Sequence, residues 1–331
     1  STMVIHQGRA GLRRLFKPAT RMPRQHAGPL LSGLPMKHWM LRLYAPLFLL
    51  GFVAAAIVWV GHCHGDPLWL LALLAVAIAV SFAAERAWPY DPTFNHDQGD
   101  SLRDTLHALV NESLNLLSIA AVPLLAALIP WQLWPLQWPF ALQVLMAIVC
   151  ADLGITLVHY ASHRIGWLWR LHAVHHSVTR MYGFNGLMKH PLHQAAEAVG
   201  GVLPLLVLGL PMPVAAVLAF AIAIQLLLQH SNVDMRPGVL GRVMAWAPLH
   251  RFHHMRYGTA GDVNFGLFLT VWDHVLGTAF DAPGYRLGRR DLGIGSQPDY
   301  PGDYPGQLLA PFRELPHGEV PELPEGLRRR G

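Results

Sequence analysis

Long uncharged stretches alternate with short polar ones along this chain, and the lengths of those stretches constrain it first. Leu43 to Gly61 holds no charged residue and is long enough to cross the hydrocarbon core of a bilayer as a helix. The polar sequence GHCHGD follows, and a second uncharged run, Pro67 to Ala84, ends at Glu85-Arg86. Ser113 to Ala151 is again free of charge, but PWQLWPLQWP interrupts it, with Trp131, Trp134 and Trp138 set among prolines. Tryptophans between prolines predict an interfacial turn, hence two spans around it. Ala198 to Gln229 is the last uncharged stretch, broken by Pro211-Met212-Pro213. Its halves are short for full spans, which predicts a membrane-inserted hairpin over 198–229.

The pattern therefore predicts an all-α integral membrane bundle of about four transmembrane spans plus the hairpin. Composition agrees: 53% of the 331 residues are hydrophobic and 14% are charged, against about 25% charged in soluble domains. The leading Ser1-Thr2 before Met3 reads as an expression scar. Residues 1–38 form a basic N-terminal arm, since the first acidic residue is Asp66. Such an arm suits the cytosolic face and anionic lipid; an organelle transit peptide is the competing reading of an Arg-rich, acid-free start. Threading the spans from a cytosolic arm puts every Lys- and Arg-bearing segment on that one side. Nucleic acid is excluded as a partner, because no basic stripe interleaved with aromatics occurs elsewhere. Two cysteines, Cys63 and Cys150, provide no disulfide framework. The expected division is arm 1–38, spans 39–158, catalytic region 159–280 and a Pro/Gly-rich tail 281–331 with 8 Pro and 9 Gly.

The candidate chemistry is histidine. Eleven of the 20 histidines lie between His159 and His254. His159 and His163 are spaced i, i+4. LHAVHHS holds His172, His175 and His176, and LHRFHHM repeats the HxxHH spacing with His250, His253 and His254. On a helix each set converges on one face. Eight imidazoles exceed the needs of one metal, so two metals with four or five ligands each, or one metal and a surplus, are expected. Imidazole suits Zn, Cu, Fe and Ni. No Glu-x-x-His box lies among the clustered histidines and no HExxH motif occurs, which excludes a carboxylate-bridged soluble bundle and disfavours a zinc protease. Asp152 stands two helical turns before His159 and is a candidate hydrogen-bond partner for a ligand imidazole, as are Asn264 and Asp273 after the last motif. His62 and His64 beside Cys63 are too few for a site, and His274 reads as structural.

HYASHR, LHAVHHS, HRFHHMRYG and NFGLFLTVWDHVLGT together resemble the fatty acid hydroxylase/sterol desaturase superfamily over about residues 140 to 280. The resemblance implies a membrane bundle whose cytosolic helical cap holds a histidine-rich centre with two iron ions, with zinc as a substitute in purified protein. It implies O2 as co-substrate and a lipid taken from the bilayer: fatty acyl, sterol or related. The implied ligands are His159, His163, His172, His175, His176, His250, His253 and His254. QHSNVD resembles a family segment that adds His230, and KHPLH one that adds His190, with His193 where the family often has Glu. Hydroxylation is the expected outcome, and desaturation on the same centre is the alternative. No haem motif or GxGxxG fingerprint occurs, so electrons come from an external cytochrome, ferredoxin or reductase. A bacterial inner membrane or the endoplasmic reticulum is the expected location. The rivals of other classes are a membrane zinc hydrolase, which needs neither O2 nor electrons, and a metal transporter, which would place ligands at mid-membrane.

Overall fold

A computed structural model describes residues 36–129 and 131–328. The basic arm predicted over 1–38 therefore lies almost wholly outside the described residues. These are helical throughout, with three isolated bridges and no strand. Five helices are long and apolar enough to cross a membrane. They are α1 (Met36–Ile57, prolonged by a π-turn, Val58–His62), α2 (Trp69–Ala87), α3 (Ser101–Ala126), α4 (Phe140–Ser162) and α8 (Met212–His230). Between α4 and α8 lie three shorter helices, α5 (Gly166–His176), α6 (Pro191–Gly201) and α7 (Leu203–Val207). After α8 come α9 (Ala247–His253), α10 (Val271–Leu276) and α11 (Tyr304–Leu309).

Four spans and a hairpin over 198–229 are present, and the hairpin's second limb is a full-length helix. Pro211-Met212-Pro213 does not break a helix; it begins one. Proline is harmless in a helix's first turn, where its missing N–H has no partner to lose. Gly209, with φ of +90°, makes the reversal just before it, a conformation glycine adopts without steric cost. The limb before the reversal is broken instead at Val202-Leu203-Pro204, where α6 gives way to α7. This limb climbs beside α4: a Cβ on Gly154 would sit 2.2 Å from Gly200 O. It ends at the tryptophan turn, where Trp131 Nε1 donates to Val207 O (2.9 Å) and Leu133 N to Leu208 O (3.1 Å). The segment thus travels the depth of the bundle and returns as a full-length helix.

That returning helix, α8, is the centre of the bundle. In its most apolar window 78% of residues are buried, against 17–39% in the other four. It packs against α1, α2, α3 and α4. Leu47 and Leu50 on α1, Leu124 on α3 and Leu145 on α4 stay exposed, as lipid-facing side chains should. The cap gathers at the end of the bundle where α4 and α8 finish. Arg180 holds Asp100 with Nη2–Oδ1 at 2.7 Å. Asp104 accepts from Tyr182 Oη (2.8 Å) and Asn185 Nδ2 (2.7 Å). Glu85 accepts from the backbone of Gly183 (2.7 Å) and Asn232 (3.1 Å). These acidic groups tie the 3₁₀ turn Gly183–Leu187 to the ends of α2 and α3. The described part of the Pro/Gly-rich tail is ordered against the cap: buried Gln307 donates to Ser177 Oγ and Pro301 O (2.9 Å each) and faces His107 Nε2.

Candidate metal centre

The last turn of α4 carries His159, with His163 just past its end; α5 ends in the first HxxHH motif and α9 in the second. α8 terminates at His230. These four helix ends meet, and nine imidazoles fall into two groups. His159, His163, His172, His176 and His253 offer ligand nitrogens all within 4.8 Å of one another, and so do His175, His230, His250 and His254. The division cuts across the sequence motifs. In the first HxxHH, His172 and His176 join one group and His175 the other; in the second, His250 and His254 stay together and His253 crosses over. Residues i and i+4 share a face, while i+3 is rotated about 60° from i, enough to aim into the neighbouring group.

The tautomers can be read from the acceptors. Nδ1 of His159 donates to Phe265 O (2.9 Å), that of His253 to Val263 O (2.8 Å) and that of His175 to Met188 O (2.9 Å). His230 Nδ1 faces Leu226 O (3.2 Å), and His163 Nδ1 faces Asp262 Oδ1 (2.9 Å). A carbonyl or carboxylate oxygen only accepts here, so the proton sits on Nδ1 and Nε2 presents a lone pair. Yet the Nε2 atoms of His159 and His253 lie 2.8 Å apart, and those of His175 and His230 3.2 Å. Bare lone pairs at that distance repel. A cation held between them, at metal–nitrogen bonds of about 2.0–2.1 Å, would remove the conflict. The donor set therefore fits one metal ion per group. Burial pushes the pKa values of His172, His175, His176, His250, His253 and His254 well below the usual imidazole range, and neighbouring charged groups, mostly imidazoles, push the same way. Burial also lowers His163, against the opposing pull of Asp262. Neutral imidazole is the metal-binding form.

The other sequence candidates sit around this centre. Asp152 does not bond an imidazole. Its carboxylate accepts from Phe268 N (2.8 Å), Leu269 N (3.1 Å) and Trp272 Nε1 (2.7 Å). Asp273 accepts from Phe265 N (2.6 Å) and Gly266 N (2.9 Å), and Asn264 Nδ2 donates to Leu249 O and Phe280 O. All three shape the loop from Val263 to Leu269, whose carbonyls at Val263 and Phe265 orient His253 and His159. Their path to the centre is through backbone, which spacing along a helix does not show. His190 belongs to neither group: its Nδ1 caps Leu192 N and its Nε2 faces Leu308 O. His193 is fully buried, with Nε2 2.9 Å from Ser162 Oγ and its ring 4.4 Å from that of His172. Asp262, Gln225 and Gln229 are additions. Gln229 Nε2 donates to Gly266 O and Leu267 O, and Gln225 Nε2 to Leu267 O. Only Asp262 left a trace in the sequence, as an acidic residue eight positions after His254. A cavity of about 260 Å³ opens against His163, His176 and His253, with Trp169, Arg256 and Asp262 in its walls.

Residues 144–278, which include all nine clustered histidines, match the fatty acid hydroxylase family model. Ornithine lipid hydroxylase OlsE of Rhizobium tropici is 32% identical over 263 residues, covering 76% of this chain and 78% of that protein. The chain belongs to the fatty acid hydroxylase family. Other relatives cover less. Alkylglycerol monooxygenase of Caenorhabditis elegans is 26% identical over 149 residues, 45% of this chain and 29% of that protein. Sphinganine C4-monooxygenase 2 of Arabidopsis thaliana is 29% identical over 144 residues, 42% of this chain and 54% of that protein. No solved structure matches the chain. The relatives are hydroxylases and monooxygenases, and this family member is, like them, an oxidoreductase.

Proposed function

We propose that the chain is a non-haem di-iron monooxygenase that hydroxylates an unactivated C–H bond of a bilayer lipid, with residues 159–280 as its catalytic region. The observation that carries this reading is the pair of groups of neutral imidazoles with Nε2 atoms turned inward. His159, His163, His172, His176 and His253 would hold one ion, and His175, His230, His250 and His254 the other. Iron in these sites would supply reductive activation of O2, with electrons from a cytochrome, ferredoxin or reductase. Five and four imidazoles exceed the three protein ligands of a catalytic zinc, which argues against the zinc hydrolase.

The chain's own residues bind, orient and exclude water. Phe265 packs edge-on against His159, His163 and His253 at 5.3, 5.0 and 5.2 Å between ring centres. Trp169 covers His163 and His176 at 5.0 and 5.3 Å. These rings dry the site, which strengthens every electrostatic interaction inside it. The cavity beside His163, His176 and His253 is the place for the reacting carbon. Ornithine lipid, alkylglycerol and sphinganine, named for the relatives, are amphipaths with long chains, and a substrate of that class fits a centre at the mouth of a membrane bundle. The basic cap residues, Arg164, Arg170 and Arg256 among them, favour the cytosolic face.

Lipid mass spectrometry of membranes with and without the protein tests the reading. An O2-dependent lipid carrying one added oxygen is expected, lost in His172→Ala and His253→Ala. A product lacking two hydrogens instead would replace hydroxylation with desaturation. Lipid cleavage that proceeds without O2 would overturn the reading in favour of a hydrolase.

A further inference from the structure

A larger cavity than the one beside the histidines lies elsewhere. About 730 Å³ of space opens between α2, α3 and α8 and touches none of the nine histidines. Leu71, Leu74, Leu117, Ile119, Ala219 and Phe220 line it. It follows α8 from Met212 to Ala223, about 16 Å of helix. Its two ends are polar. Asp66 stands at one, where its carboxylate caps Leu68 N at 2.9 Å. Glu112 and Asn115 stand at the other. Glu112 Oε2 accepts one hydrogen bond, from Asn115 Nδ2 at 3.3 Å. Among the described residues no cation lies within ion-pair distance of Glu112; Lys189 is committed to Glu197. Lys189 attracts Glu112 only from a distance, so this carboxylate within a spanning helix faces an apolar space with no directly bonded cation, a place a ligand can fill.

A partition separates this cavity from the histidines. Asn111, one residue before Glu112, donates from Nδ2 to Leu187 O and Lys189 O (3.0 Å each). On the other side of the same strip, His175 Nδ1 donates to Met188 O. Gly186 lies so close to α8 that a Cβ there would sit 2.3 Å from Leu226 O. At Gly186 no side chain fits between the strip and the helix.

We propose that this cavity binds the hydrocarbon chain of one amphipathic lipid whose amine meets Glu112, at a site separate from the reaction centre. The apolar walls take the chain, and an ammonium group gives the carboxylate a charge-assisted hydrogen bond. The assignment rests on the cavity alone and stands or falls independently of the di-iron reading.

The test uses the full chain in nanodiscs and three photoactivatable C18 probes: an amine, the matched fatty acid and the matched alcohol. Crosslinks mapped by mass spectrometry are expected at Leu117 and Phe220, with the amine favoured over the acid roughly tenfold, the size of effect a hydrogen bond to a charged group produces. Glu112→Gln should abolish that preference while leaving alcohol labelling in place. Ala219→Trp, which fills the cavity, should remove crosslinks from all three probes. Circular dichroism and size-exclusion profiles like those of the unaltered protein would show that both variants fold. Equal labelling by amine and acid in the unaltered protein would overturn the proposal, as would an amine preference that survives Glu112→Gln. If Ala219→Trp does not fold, the Glu112→Gln comparison decides alone.

Discussion

Replacing Asp152 with alanine should loosen the proposed metal centre without touching a histidine. Asp152 is fully buried and accepts from Phe268 N, Leu269 N and Trp272 Nε1 at 2.8, 3.1 and 2.7 Å. Hydrogen bonds to a charged group contribute about 1.5–3 kcal/mol each. Three do not add fully, and Leu269 and Trp272 are partly exposed, so they find other acceptors more easily than Phe268 N does. A destabilisation of about 3–5 kcal/mol is expected, the scale seen when one member of a buried charged network is removed. The consequence for chemistry runs through the loop. Phe265 O, which fixes the His159 ring at 2.9 Å, loses the anchor three residues downstream. Loss of such an orienting partner lowers metal affinity about 10- to 100-fold. Asp152→Asn should fall between, because its amide oxygen still accepts while its NH2 faces donors. Thermal unfolding in detergent and metal titration of Asp152, Asn and Ala forms give the two readouts. An alanine variant with unchanged melting and unchanged metal affinity would refute the anchoring role. Lower stability with intact affinity would break the link from loop to His159.

The crossing of the two HxxHH motifs predicts that His253→Ala weakens the group containing His172 and His176, although its neighbours His250 and His254 serve the other; metal content should fall from two ions toward one per chain, and adding His172→Ala should lower it no further. His175→Ala should empty the opposite group, so the double variant His175→Ala/His253→Ala should bind close to none, as read by elemental analysis. Gly154→Ala should force α4 from α6, since the new Cβ would meet Gly200 O at 2.2 Å; a loss of about 1–3 kcal/mol is expected, typical of overpacking, and unchanged thermal stability would contradict the close approach. With Cys150→Ser as background, exposed Cys63 should react with an impermeant thiol reagent from outside the cell, and a cysteine at exposed Thr179 only after permeabilisation; the reverse pattern would invert the proposed orientation.

Charge-free length was enough to find α1, α2, α3 and α4, because a bilayer demands runs of apolar side chains whatever the neighbours are, although α3 begins at Ser101, ahead of the charge-free run from Ser113. Eight of the nine clustered histidines were legible too, since i, i+3, i+4 spacing on a helix puts side chains together before any tertiary contact exists; His230 was reached only through the resemblance of QHSNVD to a family segment. Pro211-Met212-Pro213 marked the reversal of the hairpin, because the residues that interrupt one helix also begin the next; that the second limb is a full-length helix shows only in the packing of α8 against four neighbouring spans. Grouping was equally hidden. Spacing assembles His172, His175 and His176 as one set, and the rotation of i+3 from i separates His175 and His253 from their motif neighbours, but which distant imidazoles each then joins is settled only where the four helix ends meet. Asp152 shows the same limit from another side. Its position two turns from His159 was visible, but its partners, at sequence separations of 116 to 120 residues, were not. A helix dictates which side chains share a face; which distant backbone amides arrive at that face depends on the fold of the whole chain.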